Sequence, residues 1–353
     1  MKKILYLMGV DWYWIKQRPQ ILAEYLAQDY DVTVAYVKEI FCRQELRKDK
    51  DELEKSIAVP VFPYRDKNRL IHGIQKLMFQ KVMKKADEFD IIWIGQPLLY
   101  NYIPQSYKGK IVYDCMDNHE ALCADRRIKM AIQKTEKELI RRADVIFASS
   151  TGLLDKVKIS GTAARSLLVR NGVQGEKIYP PEVQQRGTKY KIGYFGTIAE
   201  WFDFSLLKDS LEKFPDIEYH LWGPVQNVTV PQTEGLIWEG VVEHRHLAEK
   251  VRNMDCLIMP FILNDIISDV DPVKLYEYIS MGKNIISVKY REVKRFEKFV
   301  YFYRDSSEYL DILKTLTKSG GEIVYTVQEQ QEFLKRNSWD NRYESIKREL
   351  DSL

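Results

Sequence analysis

The segment SDVDPVKLYEYISMGKNIIS, residues 268–287, combines charged residues with a helix-then-strand pattern. Pro272 is typical of a first helical turn, and Asp271 beside it is predicted to cap the free backbone N–H groups. Lys274 adds a positive charge one turn into the helix, and Glu277 follows three residues later on the same face. A helix N-terminus with an ammonium group attracts phosphate. With a carboxylate for sugar hydroxyls, the segment predicts a nucleoside diphosphate site.

These residues also have an ordinary structural interpretation. Asp-Pro is a common helix start, Lys274 could be a solvated side chain, and Gly282 is typical of the position just after a helix end. Local chemistry therefore leaves both interpretations open, a phosphate site and a plain connection from helix to strand.

Short apolar strands alternate with helices along the whole chain. The first series of predicted strands covers residues 4–8, 32–37, 91–94, 111–113 and 145–148, with helices over 19–26 and 128–143. A second series covers 191–196, 218–223, 236–238, 256–259 and 284–288. Apolar strands separated by helices are typical of parallel sheets that are covered on both faces. The predicted fold class is α/β, with two doubly wound, Rossmann-like domains.

A polar stretch with two prolines separates the two series. Residues 174–190 include Pro180 and Pro181 and have the composition of a linker. The predicted domains are therefore 1–175 and 190–335, and a C-terminal helix within 336–353 could pack on either of them. Open parallel sheets bind ligands beyond the carboxyl ends of their strands, so we expect the domains to face each other across a cleft.

Charge and cysteine content narrow the class of protein. Residues 1–180 hold 31 Lys and Arg against 23 Asp and Glu, so 31 − 23 gives +8 within a chain of net charge +3. Either chance variation or an anionic partner of the first half explains this asymmetry. The four cysteines form no CxxC pair, which favours a reducing cytoplasm and argues against structural zinc. No apolar run approaches the roughly 20 residues that span a bilayer.

The segment around Lys274 resembles the signature of GT-B glycosyltransferases with an acid-x7-Glu motif. Asp269 and Glu277 occupy the two acid positions, and Gly282 follows as in the family, although Asn284 stands where proline is usual. Other segments match in the same order along the chain: 142–149, 169–173, 192–196, 237–240 and 247–259. The resemblance covers most of the chain and is more specific than a single motif.

Shorter motifs resemble a bacterial subgroup that assembles surface polysaccharides of the teichuronic-acid and xanthan types. They are WIKQRPQ at 14–20, VYDCMD at 112–117, GTIAEWFD at 196–203 and DPVKLYE at 271–277. This resemblance implies transfer of a sugar from a nucleotide sugar, expected to be a UDP-sugar. The expected acceptor is a saccharide or a lipid-linked saccharide in cell-surface polysaccharide biosynthesis.

The resemblance also implies roles for individual residues. The expected donor-binding residues are Gly196, Thr197, Asp269, Asp271, Pro272, Val273, Lys274 and Glu277. Asp117 is the expected catalytic base and His119 a rival base, whereas a helix cap is the structural alternative for Asp117. Trp14 and Arg18 are the expected acceptor-binding residues. Two departures are an acidic loop at 197–200 where the family often has Lys or Arg, and Asp269 in place of a longer Glu.

Neither a metal nor a cofactor is expected. Asp269-Val-Asp271 spells a DxD motif, but that motif binds Mn²⁺ in a single-domain glycosyltransferase fold and lies much earlier in those chains. Motifs for nucleic-acid binding are absent from the sequence. The nucleotide sugar is a substrate, so the expected partners are this donor and the acceptor.

Residues 65–87 predict a basic amphipathic helix. Leu70, Ile71, Ile74, Leu77, Met78 and Val82 form one apolar stripe, surrounded by Arg69, Lys76, Lys81, Lys84 and Lys85. Such a helix either packs on a core or lies on an anionic membrane surface. The expected location is the cytoplasm, with contact to the inner face of the cell membrane as the open alternative.

Two other functions are compatible with the same scaffold. One is a sugar-nucleotide 2-epimerase, although its additional clusters of His and acidic residues are not located in this sequence. The other is a catalytically silent GT-B-like partner protein, which the acidic loop at 197–200 keeps open. Release of free UDP only in the presence of acceptor distinguishes a glycosyltransferase from both.

Overall fold

The computed structural model describes residues 1–14, 16–40, 55–62, 69–173, 178–181, 189–319 and 323–353. It forms two compact units, one of residues 1–170 with 343–353 and one of residues 171–342. Most of the predicted linker at 174–190 lies outside the described residues.

The first unit is built on a parallel sheet with the strand order β3-β2-β1-β4-β5-β6-β7 over its described part. The strands are β1 (Lys3–Met8), β2 (Asp31–Glu39), β3 (Ser56–Val61), β4 (Ile91–Ile94), β5 (Lys110–Cys115), β6 (Val145–Ala148) and β7 (Arg165–Leu168). Every side chain of β4 and β6 is buried, as expected for strands with both faces covered.

Helices connect these strands. They are α1 (Arg18–Asp29), α2 (Arg69–Met83), α3 (Arg126–Arg142) and α4 (Thr151–Ile159). Local chemistry fixes two of the starts, because Asp125 accepts hydrogen bonds from two N–H groups of α3 and Ser150 accepts one from Leu153 in α4. The C-terminal residues 343–353 belong to this unit, and the hydroxyl of Tyr343 donates to Asp29 at 2.8 Å.

The second unit has its own parallel sheet, with the strand order β10-β9-β8-β11-β12-β13 in the region described. The strands are β8 (Tyr190–Phe195), β9 (Ile217–Trp222), β10 (Leu236–Gly240), β11 (Cys256–Met259), β12 (Asn284–Val288) and β13 (Tyr301–Tyr303). The helices are α5 (Phe204–Lys213), α6 (His244–Val251), α7 (Val273–Ser280), α8 (Ser306–Ser319) and α9 (Val327–Arg336). A last helix, α10 (Trp339–Asp351), begins in this unit, and its residues from 343 onward belong to the first unit.

Both sheets reverse their strand order at one point, between β1 and β4 in the first unit and between β8 and β11 in the second. Ligands of such sheets bind beyond the carboxyl ends of the two strands that flank the reversal. The α/β fold with two doubly wound units is thus confirmed, and it directs attention to the residues just after β1, β4, β8 and β11. In the parts described, no helix is both long and apolar enough to cross a membrane.

Candidate functional site

Three neighbouring strands of the second unit end at glycines with positive φ angles. Gly196 follows β8 with φ +132°, Gly223 follows β9 with φ +136°, and Gly240 ends β10 with φ +87°. The Gly196 N–H donates to the Trp222 carbonyl at 2.9 Å, and a methyl group on Gly223 would overlap the Gly196 carbonyl oxygen. Glycine is therefore favoured at these three turns, which lie at the carboxyl edge of the sheet, where ligands of this fold class bind.

Lys274 places its ammonium group at this edge. A methyl group on Gly196 would overlap Lys274 Cε and would lie 2.8 Å from its Nζ. The Nζ atom also lies 5.9 Å from the ring centre of Tyr194, in β8, and 5.7 Å from that of Phe261, just after β11. The ammonium group is thus at the point where the strand order reverses, which is where the fold class predicts a ligand.

The Lys274 side chain is only partly exposed, and its ammonium group faces aromatic rings. It makes no hydrogen bond or ion pair with any residue that the structure describes. Burial lowers its pKa, and the negative charge of Glu277 opposes this shift. A partly desolvated cation that forms no ion pair with the described residues favours the binding of an anion, which would offset the loss of hydration.

The helix that carries Lys274 begins one residue later than predicted. Pro272 is the N-cap of α7, and no side chain caps the helix. The predicted capping by Asp271 is therefore wrong. In the region described, the N–H groups of Val273 and Lys274 have no hydrogen-bond partner, so the positive end of the helix is open beside the ammonium group.

Asp271 is held inside the unit by other partners. Its carboxylate forms an ion pair with Arg295, accepts from the Asn171 N–H at 2.8 Å and accepts from the Tyr276 hydroxyl at 3.3 Å. The Asn171 side chain donates back to the Asp271 carbonyl at 2.9 Å. Because the carboxylate is buried and occupied, its placement favours fixing the start of α7 over contact with the donor.

The other predicted donor-binding residues lie around this centre. Glu277 is partly buried, one turn after Lys274. Thr197 follows Gly196, and its carbonyl accepts from the Tyr194 hydroxyl at 2.7 Å. Asp269 ends the short turn Ile267–Asp269, and Val273 is exposed at the start of α7. The structure brings Gly196 and Lys274 into contact, and donor binding by the rest of the set stays a prediction.

The first unit presents Asp117 and His119 in one loop after β5. The His119 N–H donates to the Asp117 carbonyl at 3.0 Å, and His119 Nε2 lies 3.1 Å from the carbonyl oxygen of Gly95, just after β4. A carbonyl only accepts, so Nε2 carries a proton in this contact. This loop thus reaches the carboxyl end of β4, one of the two strands at the strand reversal of the first unit.

The environment of Asp117 perturbs its acidity. Burial raises the pKa of this carboxyl, Asp114 raises it further, and the positive charges of His119 and Arg18 oppose the shift. A carboxylate with a raised pKa is a stronger base, which is the property that proton abstraction from a sugar hydroxyl requires.

Arg18 lies beneath this loop in a buried ion pair. Its Nε atom lies 3.0 Å from both carboxylate oxygens of Asp114, and another of its nitrogens donates to the Val169 carbonyl at 2.7 Å. Both charged side chains are almost fully buried. Arg18 was predicted to bind the acceptor, but this placement favours a positioning role beside Asp117. The Trp14 side chain is partly exposed, and acceptor binding by it stays a prediction.

Sequence reasoning missed four residues of these sites: Gly223, Phe261, Asn171 and Arg295. Gly223 directly follows β9 and precedes Pro224, so the glycine was a detectable signal. The other three carry no local signal, because tertiary contacts alone bring them to Lys274 and Asp271. The described residues include no group of three or more His, Cys, Asp and Glu that could hold a metal ion.

Comparison with known proteins finds one relative by sequence and several similar structures. No protein-family model matches the chain. TuaH of Bacillus subtilis (strain 168), which is named as a teichuronic acid biosynthesis glycosyltransferase, is 27% identical over 236 residues. The match spans 60% of this chain and 59% of that relative.

Solved structures resemble the chain over its full length. Sucrose-phosphate synthase from Thermosynechococcus elongatus has a TM-score of 0.72 at 14% identity, with 100% of both chains covered. Anabaena HepE, solved in complex with UDP and glucose, has the same TM-score, identity and coverage. The lipopolysaccharide outer core galactosyltransferase WaaB has a TM-score of 0.68 at 16% identity, with 99% of each chain covered. The chain therefore has the two-domain, Rossmann-like GT-B fold of these glycosyltransferases.

Proposed function

We propose that this protein is a glycosyltransferase that moves a sugar from a nucleotide sugar, of the UDP class, to a saccharide or lipid-linked acceptor. One observation carries the proposal: Lys274 places an ammonium group without a partner among the described residues beside Gly196, at the open N-terminus of α7. Because the group lies at the strand reversal of the sheet, the diphosphate of a nucleotide is the ligand that fits it best.

The leaving group of the proposed reaction is the nucleoside diphosphate. As the bond between the sugar and the diphosphate breaks, negative charge grows on the departing oxygen. Lys274 and the N–H groups at the start of α7 stabilise this charge from positions fixed before the reaction. This chemistry requires no metal in our proposal, and no resident cofactor, because the helix end and the ammonium group supply the positive charge.

In the proposed reaction, residues of the first unit bind and activate the acceptor. Asp117 takes the proton of the acceptor hydroxyl, and burial has already raised the pKa of this carboxyl. Arg18 forms a buried ion pair with Asp114 and donates to the Val169 carbonyl, and His119 is the alternative base. The partly exposed Trp14 is a candidate platform for a sugar ring.

The classes of donor and acceptor rest on the relatives. HepE was solved with UDP and with UDP-glucose, and TuaH is named for teichuronic acid biosynthesis. We therefore assign a UDP-sugar as donor and a growing cell-surface polysaccharide, or its lipid-linked precursor, as acceptor. The proposed place of action is the cytoplasmic face of the cell membrane.

A binding panel followed by a turnover assay tests the proposal. UDP, UDP-glucose, UDP-galactose, UDP-N-acetylglucosamine and ADP-glucose are compared in thermal unfolding of the full chain. A ligand at about 100 times its Kd adds about 2.7 kcal/mol to the free energy of unfolding. UDP compounds are expected to raise Tm, and membrane extract as acceptor source is expected to increase UDP release.

Three results of this panel would contradict the proposal. The first is that no UDP compound raises Tm. The second is that a bound UDP-sugar is converted to its epimer and no UDP is released. The third is that UDP release stays at background with every acceptor source. The second result would indicate the epimerase and the third the catalytically silent partner.

A further inference from the structure

Helix α2 of the first unit has a clearly defined inner face. The side chain of Gln75 is fully buried, donates to the Pro60 carbonyl at 3.0 Å and accepts from the Phe62 N–H at 3.2 Å. One turn further, Phe79 stacks on Tyr102 with ring centres 4.0 Å apart. These contacts tie the helix to the end of β3 and fix which of its faces points outward.

The outer face of α2 is apolar in its first half. Leu70 is 80% exposed, Ile74 is 49% exposed and Leu77 is 62% exposed. Their spacing of four and three residues puts them on one line opposite Gln75 and Phe79. The predicted single stripe thus divides, because Met78, Val82 and Ile71 are only partly exposed. The predicted residues 65–68 lie outside the described part of the chain.

Toward the C-terminal end of α2, the line of Leu70, Ile74 and Leu77 is followed by lysines. Lys81 and Lys84 follow Leu77 at helical spacing, and Lys76 and Lys85 flank them, all four exposed. The sequence of α2 itself contains no acidic residue. Asp87 and Glu88 follow in the next turn, so residues 76–88 carry four positive and two negative charges, a net of +2.

We propose that this outer face, formed by Leu70, Ile74, Leu77 and Lys81 of α2 with Lys84 in the turn after the helix, docks the protein on a bilayer that contains anionic lipid. Aliphatic side chains beside lysines are the composition of helices that lie in the membrane interface. The apolar side chains enter the boundary of the acyl chains, and the lysines meet the negative lipid headgroups.

A second copy of the chain fits this face less well. A two-fold contact would bring the lysines of one copy close to the same lysines of the other, and like charges repel. Three aliphatic side chains also bury far less area than the standard 1,600 Å² interface of a stable complex. Charge complementarity therefore favours an anionic surface. The net charge of +8 over residues 1–180 acts in the same direction.

Vesicle flotation tests the proposal with the full-length chain. Vesicles of phosphatidylcholine are compared with vesicles of equal parts phosphatidylcholine and phosphatidylglycerol, at 50 mM and 500 mM salt. The protein is expected to float with the anionic vesicles at low salt, at least tenfold more than with the neutral ones. High salt should weaken this binding, because it screens exposed charges.

Two variants examine the two halves of the face. One carries Leu70→Ser, Ile74→Ser and Leu77→Ser, and the other carries Lys81→Gln and Lys84→Gln. Each is expected to lose at least tenfold of the bound fraction. The matched control, Lys134→Gln with Lys137→Gln, removes the same charge from exposed positions of α3 and should keep binding within twofold of wild type. Exposed substitutions of this kind change folding little, which circular dichroism checks.

Three outcomes would overturn the proposal. The first is that the wild type fails to bind anionic vesicles. The second is that the α3 control loses as much binding as the α2 variants. The third is that sedimentation velocity shows a dimer of the wild type and a monomer of the serine variant. None of these depends on catalysis. UDP affinity in the same preparations reports separately on the proposed glycosyltransferase activity, so the two proposals can fail independently.

Discussion

Lys274 carries a positive charge that the described residues leave without a hydrogen bond or ion pair. Desolvation makes such a charge unfavourable for folding, and burial accordingly lowers its pKa. A group of this kind persists where function requires it, and an incoming phosphate would supply the missing counter-charge. The residue that binds the donor is thus expected to weaken the protein without donor.

Replacement of Lys274 by Met tests this trade-off. The folded pKa lies below the ordinary 10.5, so the unfolded chain binds more protons between the two values and stability rises with pH in that window. At pH values below the folded pKa, the charged Lys274 lowers the free energy of unfolding by its full amount. We therefore expect Lys274→Met, measured in urea at pH 7 without nucleotide, to match or exceed the wild-type free energy of unfolding. A loss above about 1 kcal/mol would contradict this interpretation. Lys208→Met, at an exposed position of α5, is the control.

Asp117→Asn tests the proposed base. General-base catalysis contributes about 10²- to 10⁴-fold, so kcat/KM should fall by at least about 100-fold while the affinity for UDP stays unchanged. The active form of Asp117 is ionised, and burial raises its pKa above the ordinary 3.8. Wild-type activity should therefore decline as the pH falls through this raised pKa. The residual activity of the Asp117→Asn variant should not show this decline. If the variant keeps full activity and His119→Gln loses it, His119 is the base.

The loop after β8 and the start of α7 pack together around Lys274. Gly196→Ala should disturb it twice, through strain at φ +132° and through overlap with Lys274 Cε. Gly240→Ala is a matched control, because its φ is +87° but a methyl group there would meet no atom within 4 Å. We expect Gly240→Ala to lose about 1–2 kcal/mol of stability through backbone strain, and Gly196→Ala to lose at least as much. Only Gly196→Ala should lose about tenfold or more in UDP affinity by calorimetry, and equal losses would contradict the contact with Lys274.

Asp271 and Arg295 anchor the segment that leads into α7. Arg295→Met leaves the Asp271 carboxylate buried without its charged partner, which lowers stability by about 3 kcal/mol where one member of such a pair is removed. Urea denaturation measures this loss. The control Lys294→Met changes a neighbouring exposed cation and should stay within about 0.5 kcal/mol of wild type. A stable Arg295→Met variant would show that the ion pair does not fix the segment.

Sequence patterns predicted the elements well, because their causes are local. Residues 91–94 and 256–259 are wholly apolar and form buried strands with those bounds. The capping by Asp271 was wrong for a tertiary reason. Asp before Pro is a common helix start, but Arg295 and Asn171 bind this carboxylate from elsewhere in the unit. The competition between a local cap and a distant ion pair cannot be seen in the segment alone.

For the molecule as a whole, the alternation of strands and helices was sufficient to predict two doubly wound units and their carboxyl edges. The placement of charge was not predictable. The sequence alone did not show that Arg18 is buried with Asp114, so its binding of the acceptor stays a prediction. Nor did it show that the stripe on α2 divides into inner and outer faces. Both outcomes depend on which surfaces the fold covers, and that information is spread over residues distant in sequence.

The central claim is that the ammonium group of Lys274 binds the diphosphate of a nucleotide. Calorimetric titration of wild type, Lys274→Met and the control Lys208→Met with UDP and with uridine tests it most directly. A charge-assisted contact is worth about 1.5–3 kcal/mol, so Lys274→Met should bind UDP about 10- to 100-fold more weakly and bind uridine as the wild type does. Unchanged UDP affinity, or an equal loss for uridine, would contradict the account.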